Sequence, residues 1–93
     1  MTLLLKDPDA MVDYLVDWGA EYLGDDLIVD SAWTVDPDEA GGVIVAGHHF
    51  DANSATANAG GGIPGRIYRL VNQVTTALGR TDTRSVVLRV ENR

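Results

Sequence analysis

The sequence predicts an all-β domain, a sandwich of about seven short antiparallel strands, on three observations. The run Ser85 to Glu91 alternates strictly, with Val86, Leu88 and Val90 on one face and Ser85, Val87, Arg89 and Glu91 on the other. The run Arg66 to Thr76 is rich in β-formers and is separated from the first by Ala77-Leu78-Gly79-Arg80-Thr81-Asp82, in which Gly79 can take the positive φ of a hairpin turn. Turn signals, Asp36-Pro37-Asp38-Glu39 and the glycine-rich stretch from Gly60 to Gly65, recur between further β-like runs.

Along the chain, residues 1–8 read as an extended leading segment. The next stretch carries two patterns. Asp7-Pro8-Asp9 followed by Met11, Leu15, Trp18 and Tyr22, ending at Gly24, is the pattern of a capped helix. Val12, Tyr14, Val16 and Trp18 alternating with Asp13 and Asp17 is the pattern of a strand. Local signals alone favour the helix. Leu27 to Val35 reads as a strand with Val29, Trp33 and Val35 on one face. Val43 to Asp51 reads as another, with Ile44, Ala46, His48 and Phe50 on one face. In Ser54 to Ala59, the alanines at 55, 57 and 59 oppose Ser54, Thr56 and Asn58, small side chains suited to a sheet edge or a close neighbour. Gly60 to Gly65 is read as a loop. The hairpin over residues 66–91 puts Tyr68, Leu70 and Val74 on its inner face with Asn72, which therefore needs a partner or an edge position. Trp18 and Trp33 are the expected core rings, because large aromatics dominate burial in small domains.

The chain has 93 residues, a length expected to make one domain over 1–93, and no cysteine, so no disulfide supports it. Leu3 to Leu5 is too short for a secretory apolar segment or a membrane helix, and the expectation is a soluble protein. The formal charge of −7 argues against general nucleic-acid binding. The charge is uneven. Residues 1–51 hold twelve acidic groups and one lysine, whereas residues 52–93 hold two acidic groups and six arginines. Such asymmetry can act inside a fold, by pairing acidic with basic strands, or between copies, by steering an acidic face onto a basic one.

The search for chemistry returns little. His48-His49 are adjacent, so on a strand they point to opposite faces and do not chelate one ion. Asp25-Asp26 and Asp36 to Glu39 lack the alternating ligands, central glycine and distal glutamate of a calcium loop. Gly60 to Gly62 lacks the lysine and following helix of a phosphate loop. No nucleophile stands with a histidine and an acid in a recognisable motif, so no enzyme, metal or cofactor is expected. Two features point to protein contacts. Ile67, Val71 and Val87 would lie outward on the hairpin beside Arg69, as an apolar patch. Arg80, Asp82 and Arg84 would form a charged tip able to dock on carboxylates of a neighbour.

The stretch Tyr68-Arg-Leu-Val-Asn72-Gln-Val74-Thr75-Thr76-Ala-Leu-Gly79-Arg80-Thr81-Asp82-Thr-Arg84-Ser85, followed by Leu88-Arg-Val90, resembles small phage virion proteins described as fibre–tail adaptor or head–tail connection proteins. Lys6-Asp7-Pro8-Asp9-Ala10, Asp13-Tyr14, Asp17-Trp18 and Trp33-Thr34-Val35 resemble that family's opening, so the likeness runs over nearly the whole chain. Leu78 before Gly79 and the Ile63-Pro64 insertion in the glycine loop depart from it. The resemblance implies an Ig-like β-sandwich, and hence a strand over Asp13 to Trp18 with a helical turn near residues 20–23. It implies no catalytic residues. It also implies a virion protein of the neck or tail, made in the host cytoplasm, that packs in a ring, six-fold or a multiple, against its own copies and neighbouring neck, tail or fibre proteins, without nucleic acid or membrane. An Ig-like binding module of an adhesin or a carbohydrate-binding protein is the rival reading, and would require exposed aromatic rings.

Overall fold

The structure, a computed structural model, describes residues 3–92. Seven strands and one helical turn run in order: β1 (Leu3–Lys6), β2 (Val12–Asp17), α1 (Gly19–Leu23), β3 (Ile28–Asp36), β4 (Val43–Phe50), β5 (Ser54–Gly61), β6 (Ile67–Thr76) and β7 (Thr81–Val90). They form two sheets, one of order β1-β7-β6-β3 and one of order β2-β5-β4, packed as a sandwich. All pairs are antiparallel except β1 with β7, which is parallel.

Alternation decides which side chains fill the space between the sheets. On β6 the even-numbered residues Tyr68, Leu70, Asn72, Val74 and Thr76 are buried, and on β7 Leu88 and Val90. Facing them on β2 and β5 are Tyr14, Val16, Ala55, Ala57 and Ala59, all buried. The alanines belong to the central strand of the three-stranded sheet, so their small size serves close approach of the opposing layer. The apolar side chains form two clusters. One lies around Tyr14, Val43, Tyr68, Leu70 and Leu88, the other around Val16, Trp18, Leu23, Ile28 and Val74, and Trp33 and Val86 pack against both. The strand pattern at Val12–Asp17 thus prevails over the helical one, because Tyr14, Val16 and Trp18 all find a sheet to cover. Helix appears only at α1, after Trp18.

Asn72 supplies the polar joint of the core. Trp18 Nε1 donates to Asn72 Oδ1 at 2.9 Å, and Asn72 Nδ2 donates to Ser31 Oγ at 2.9 Å and to the Ala32 carbonyl at 3.2 Å. Its amide is therefore paired on both sides, which resolves the need for a partner seen in the sequence. A second polar joint lies at the other end. Lys6 is 1 % exposed, and its ammonium donates to the carbonyls of Asp7 at 2.8 Å and Gly61 at 2.7 Å, fastening β1 of one sheet to β5 of the other. Burial holds its pKa below the usual lysine value, with Asp7 and Asp9 opposing that shift.

Three sequence expectations are corrected, each by a local irregularity. Val29 does not share an inner face with Trp33 and Val35. The register with β6 shifts between Ile28 and Asp30, so Ile28 is buried while Val29 is exposed, and Ser31 joins Trp33 and Val35 inside. A bulge adds one residue and reverses the alternation. The same happens on β4 between Val45 and Gly47. Ile44 points outward before the shift, whereas His48 and Phe50 lie opposite the inward Ala57 and Ala55 after it, so the four residues expected on one face are split. The glycine loop is shorter than expected, since β5 continues through Gly60 and Gly61. Gly62 is required there: its φ is +116°, and a Cβ would stand 2.5 Å from Val90 Cγ2.

Replacing Asn72 by Leu would leave the Trp18 indole N–H without its acceptor in a dry core. The expected loss is about 1–3 kcal/mol of unfolding free energy, read as a lower urea midpoint at unchanged slope.

Candidate protein interface

Strand alternation turns the odd-numbered residues of β6 and β7 outward. The register places Ile67 opposite Arg89, Arg69 opposite Val87 and Val71 opposite Ser85. On the other side of β7, Leu3 pairs with Val87 and Leu5 with Arg89. Ile67, Arg69, Val71 and Val87 therefore come together on the outer face of the four-stranded sheet, and Leu3 and Leu5 join them. Ile67 is 53 % exposed, Leu3 50 % and Leu5 48 %, while Val71 and Val87 are half-buried. Arg69 is exposed and opposite Asp36 of β3. The two leucines were not legible as members of this face. Their strand pairs in parallel with the far end of the chain, and no local pattern encodes that pairing. The one signal was an apolar run at Leu3 to Leu5 with no role of its own.

The hairpin tip is built differently from the outer face. Arg80 Nε donates to Asp26 Oδ2 at 3.1 Å and its Nη2 donates to the Leu23 carbonyl at 3.2 Å, with the guanidinium 4.7 Å from the centre of the Tyr22 ring. Arg84 lies 4.5 Å over the Trp18 ring, and its Nη1 donates to the Asp17 carbonyl at 2.8 Å. Both arginines thus clamp the tip to the segment from Asp17 to Asp26, and Arg84 roofs the open end of the core above Trp18. Asp82 is exposed and accepts the Thr83 amide at 2.8 Å, a local turn role.

Asp26 is the centre of that clamp. Its carboxylate is fully covered and accepts the amides of Leu27 at 2.8 Å and Leu78 at 3.1 Å besides Arg80. Burial pushes its pKa up, but hydrogen bonds from Thr76, the two amides and Arg80 outweigh this and bring it down from 3.8 to about 2. A second link between the two halves joins Arg66 to Glu39 at 3.5 Å, and Glu39 also accepts the Tyr68 hydroxyl at 2.7 Å. Part of the charge asymmetry is therefore used inside the subunit. Asp26 and Glu39, from the two acidic clusters considered for calcium, are bound to arginines in this way. Among the described residues no group of three or more His, Asp or Glu is placed to hold a metal ion. His48 and His49 sit opposite Ala57 and Thr56, on different faces, and both are exposed. Among the described residues no helix is long and apolar enough to cross a membrane.

The chain matches the model of one protein family, described as podophage GP4 fiber-tail adaptor protein gp77, over residues 6–89. It belongs to that family. Membership makes it a structural phage protein of the fibre–tail adaptor kind and a virion component, in keeping with the resemblance read from the sequence. No curated protein matches the chain.

Because the folded Asp26 has the lower pKa, its contribution to stability is complete above its unfolded value. It is lost as pH falls from about 4 through about 2. Thermal unfolding followed between pH 5 and 2 should show a fall in Tm that is shallower in the Asp26→Asn variant, which starts from a lower Tm at neutral pH.

Proposed function

We propose that this fibre–tail adaptor works without catalysis, by packing the outer face of its four-stranded sheet against neighbouring subunits of the neck or tail. Several copies stand in a ring, six-fold or a multiple of it, and contact tail or fibre proteins. The observation that carries the reading is the apolar cluster of Leu3, Leu5, Ile67, Val71 and Val87 around Arg69, on strands whose inner faces are already buried in the core. Apolar side chains gathered on one solvent-facing sheet serve a contact rather than the fold that carries them. Arg69 gives the patch one directional group, suited to a carboxylate of the partner. Arg80 and Arg84 serve this surface from behind, by holding the hairpin in shape, and Asp82 presents its carboxylate at the tip. Within the virion such contacts also stabilise the folded subunit by mass action.

The carbohydrate-binding alternative has less support. Trp18, Tyr14 and Tyr68 are buried, and Tyr22 and Trp33 are half-buried, Tyr22 beneath Arg80, so among the described residues the exposed aromatic ring is that of Phe50, a single ring rather than a platform.

Leu5 and Ile67 flank Arg89 in one cross-strand row, so a Leu5→Glu, Ile67→Glu variant puts two charges into the patch without touching the core. It should unfold within about 0.5 kcal/mol of the parent, yet fail to enter particles when it replaces the parent protein during phage growth. Leu78→Glu, at a still more exposed apolar position on the hairpin turn, should enter normally. Normal incorporation of the double variant would remove this face from the assembly.

A further inference from the structure

We infer that the free edge of β4 takes an added strand from an extended, cationic segment of a partner protein. This surface belongs to the other sheet and is separate from the face proposed above, so the two readings fail independently.

The four sheet edges are not alike. Unpaired edges expose a row of backbone donors and acceptors, and proteins blunt them by shortness or by charge. β1 is four residues long. β2 carries Asp13 and Asp17, and β3 carries Asp30 and Asp36. β4 is eight residues long, pairs only with β5, and has no aspartate, glutamate, lysine or arginine. It instead exposes Ile44, 57 % accessible, and Phe50, 40 % accessible. The bulge after Val45 splits the edge into two stretches of regular register, Gly47 to Phe50 and the shorter Val43 to Val45.

The shorter stretch borders a groove of about 330 Å³ between β3 and β4, lined by Trp33, Thr34, Val35, Asp38, Val43, Ile44 and Val45. A strand laid along β4 would send alternate side chains into this groove. Two features of the lining are unsatisfied. The Trp33 indole N–H is buried with no acceptor, and Asp38 is an exposed carboxylate with no ion pair among the described residues. A lysine or arginine of the occupant can pair with the second. Charge also selects the occupant. The chain carries −7, and Asp36, Asp38 and Asp51 flank β4 at its two ends. Antiparallel pairing of two copies of β4 would bring these carboxylates together, whereas a segment alternating apolar and basic residues meets complementary charge. Main-chain bonds would supply affinity and the alternate side chains specificity.

The test uses the isotope-labelled full chain and a capped octapeptide of alternating lysine and valine. Amide exchange at Val43 to Val45 should slow about tenfold on binding, and the Trp33 indole resonance should shift. Ile44→Lys, which charges the edge, and Asp38→Lys should each weaken binding, while the Leu5→Glu, Ile67→Glu variant should bind as the parent does. The inference is overturned by any of three results: equal binding of a peptide N-methylated at alternate backbone nitrogens, equal binding of the glutamate–valine peptide, or protection that is absent or lies on β2 or β3.

Discussion

The amide of Asn72 is the constraint on which the sandwich is organised. It sits fully buried on β6, next to the middle of the four-stranded sheet, and binds Trp18 from the end of β2 in the opposite sheet and Ser31 and Ala32 from the neighbouring strand. Apolar contact between two sheets is non-directional and tolerates sliding. A hydrogen bond between residues 54 positions apart does not. One polar group thus fixes how the layers lie over each other, and slippage would leave a donor or acceptor dry and unpaired. Lys6 repeats the device at the far end, where its ammonium caps carbonyls in place of a second apolar contact.

The charge distribution obeys the same economy. Arginines from the second half of the chain close on acidic residues of the first at Asp26 and Glu39, and Arg84 covers Trp18. The exposed pairs contribute little each, but the Asp26 carboxylate is buried, and losing Arg80 would leave it uncompensated. With those arginines engaged at home, the excess acidity is left to face outward. An adaptor with such a surface is better matched to cationic or apolar partner surfaces than to a second acidic copy at the same point of contact, which is why the apolar sheet face and the uncharged β4 edge stand out.

Much of the hairpin was legible because β6 and β7 are long, alternate regularly and are joined by a glycine turn, so local periodicity and local geometry agree. The inner set Tyr68, Leu70, Asn72 and Val74 and the outward set Ile67, Val71 and Val87 both emerged from counting by twos. Where counting failed, a single extra residue was the cause: the irregularities at Val29 and Ala46 each reverse the parity of the strand residues beyond them. A bulge has no side-chain signature of its own, so Val29 was grouped with Trp33 and Val35, and Ile44 with His48 and Phe50, although the register puts them on opposite faces.

The sequence by itself determined the all-β class, the hairpin with its turn, the inward residues of that hairpin and the family to which the chain belongs, since these rest on periodicity, turn chemistry and motif order along a continuous stretch. The resemblance also implied the strand over Asp13 to Trp18, but only the tertiary structure decided that it pairs with Ala55, Ala57 and Ala59, that Leu3 and Leu5 complete the outer patch, and that Arg80 and Arg84 are bound at home. Each of these depends on a partner far along the chain. The local backbone at 12–17 satisfies both helix and strand, and only the burial offered by the second sheet separates them. The reach of an arginine, likewise, is set by the groups the fold brings beside it.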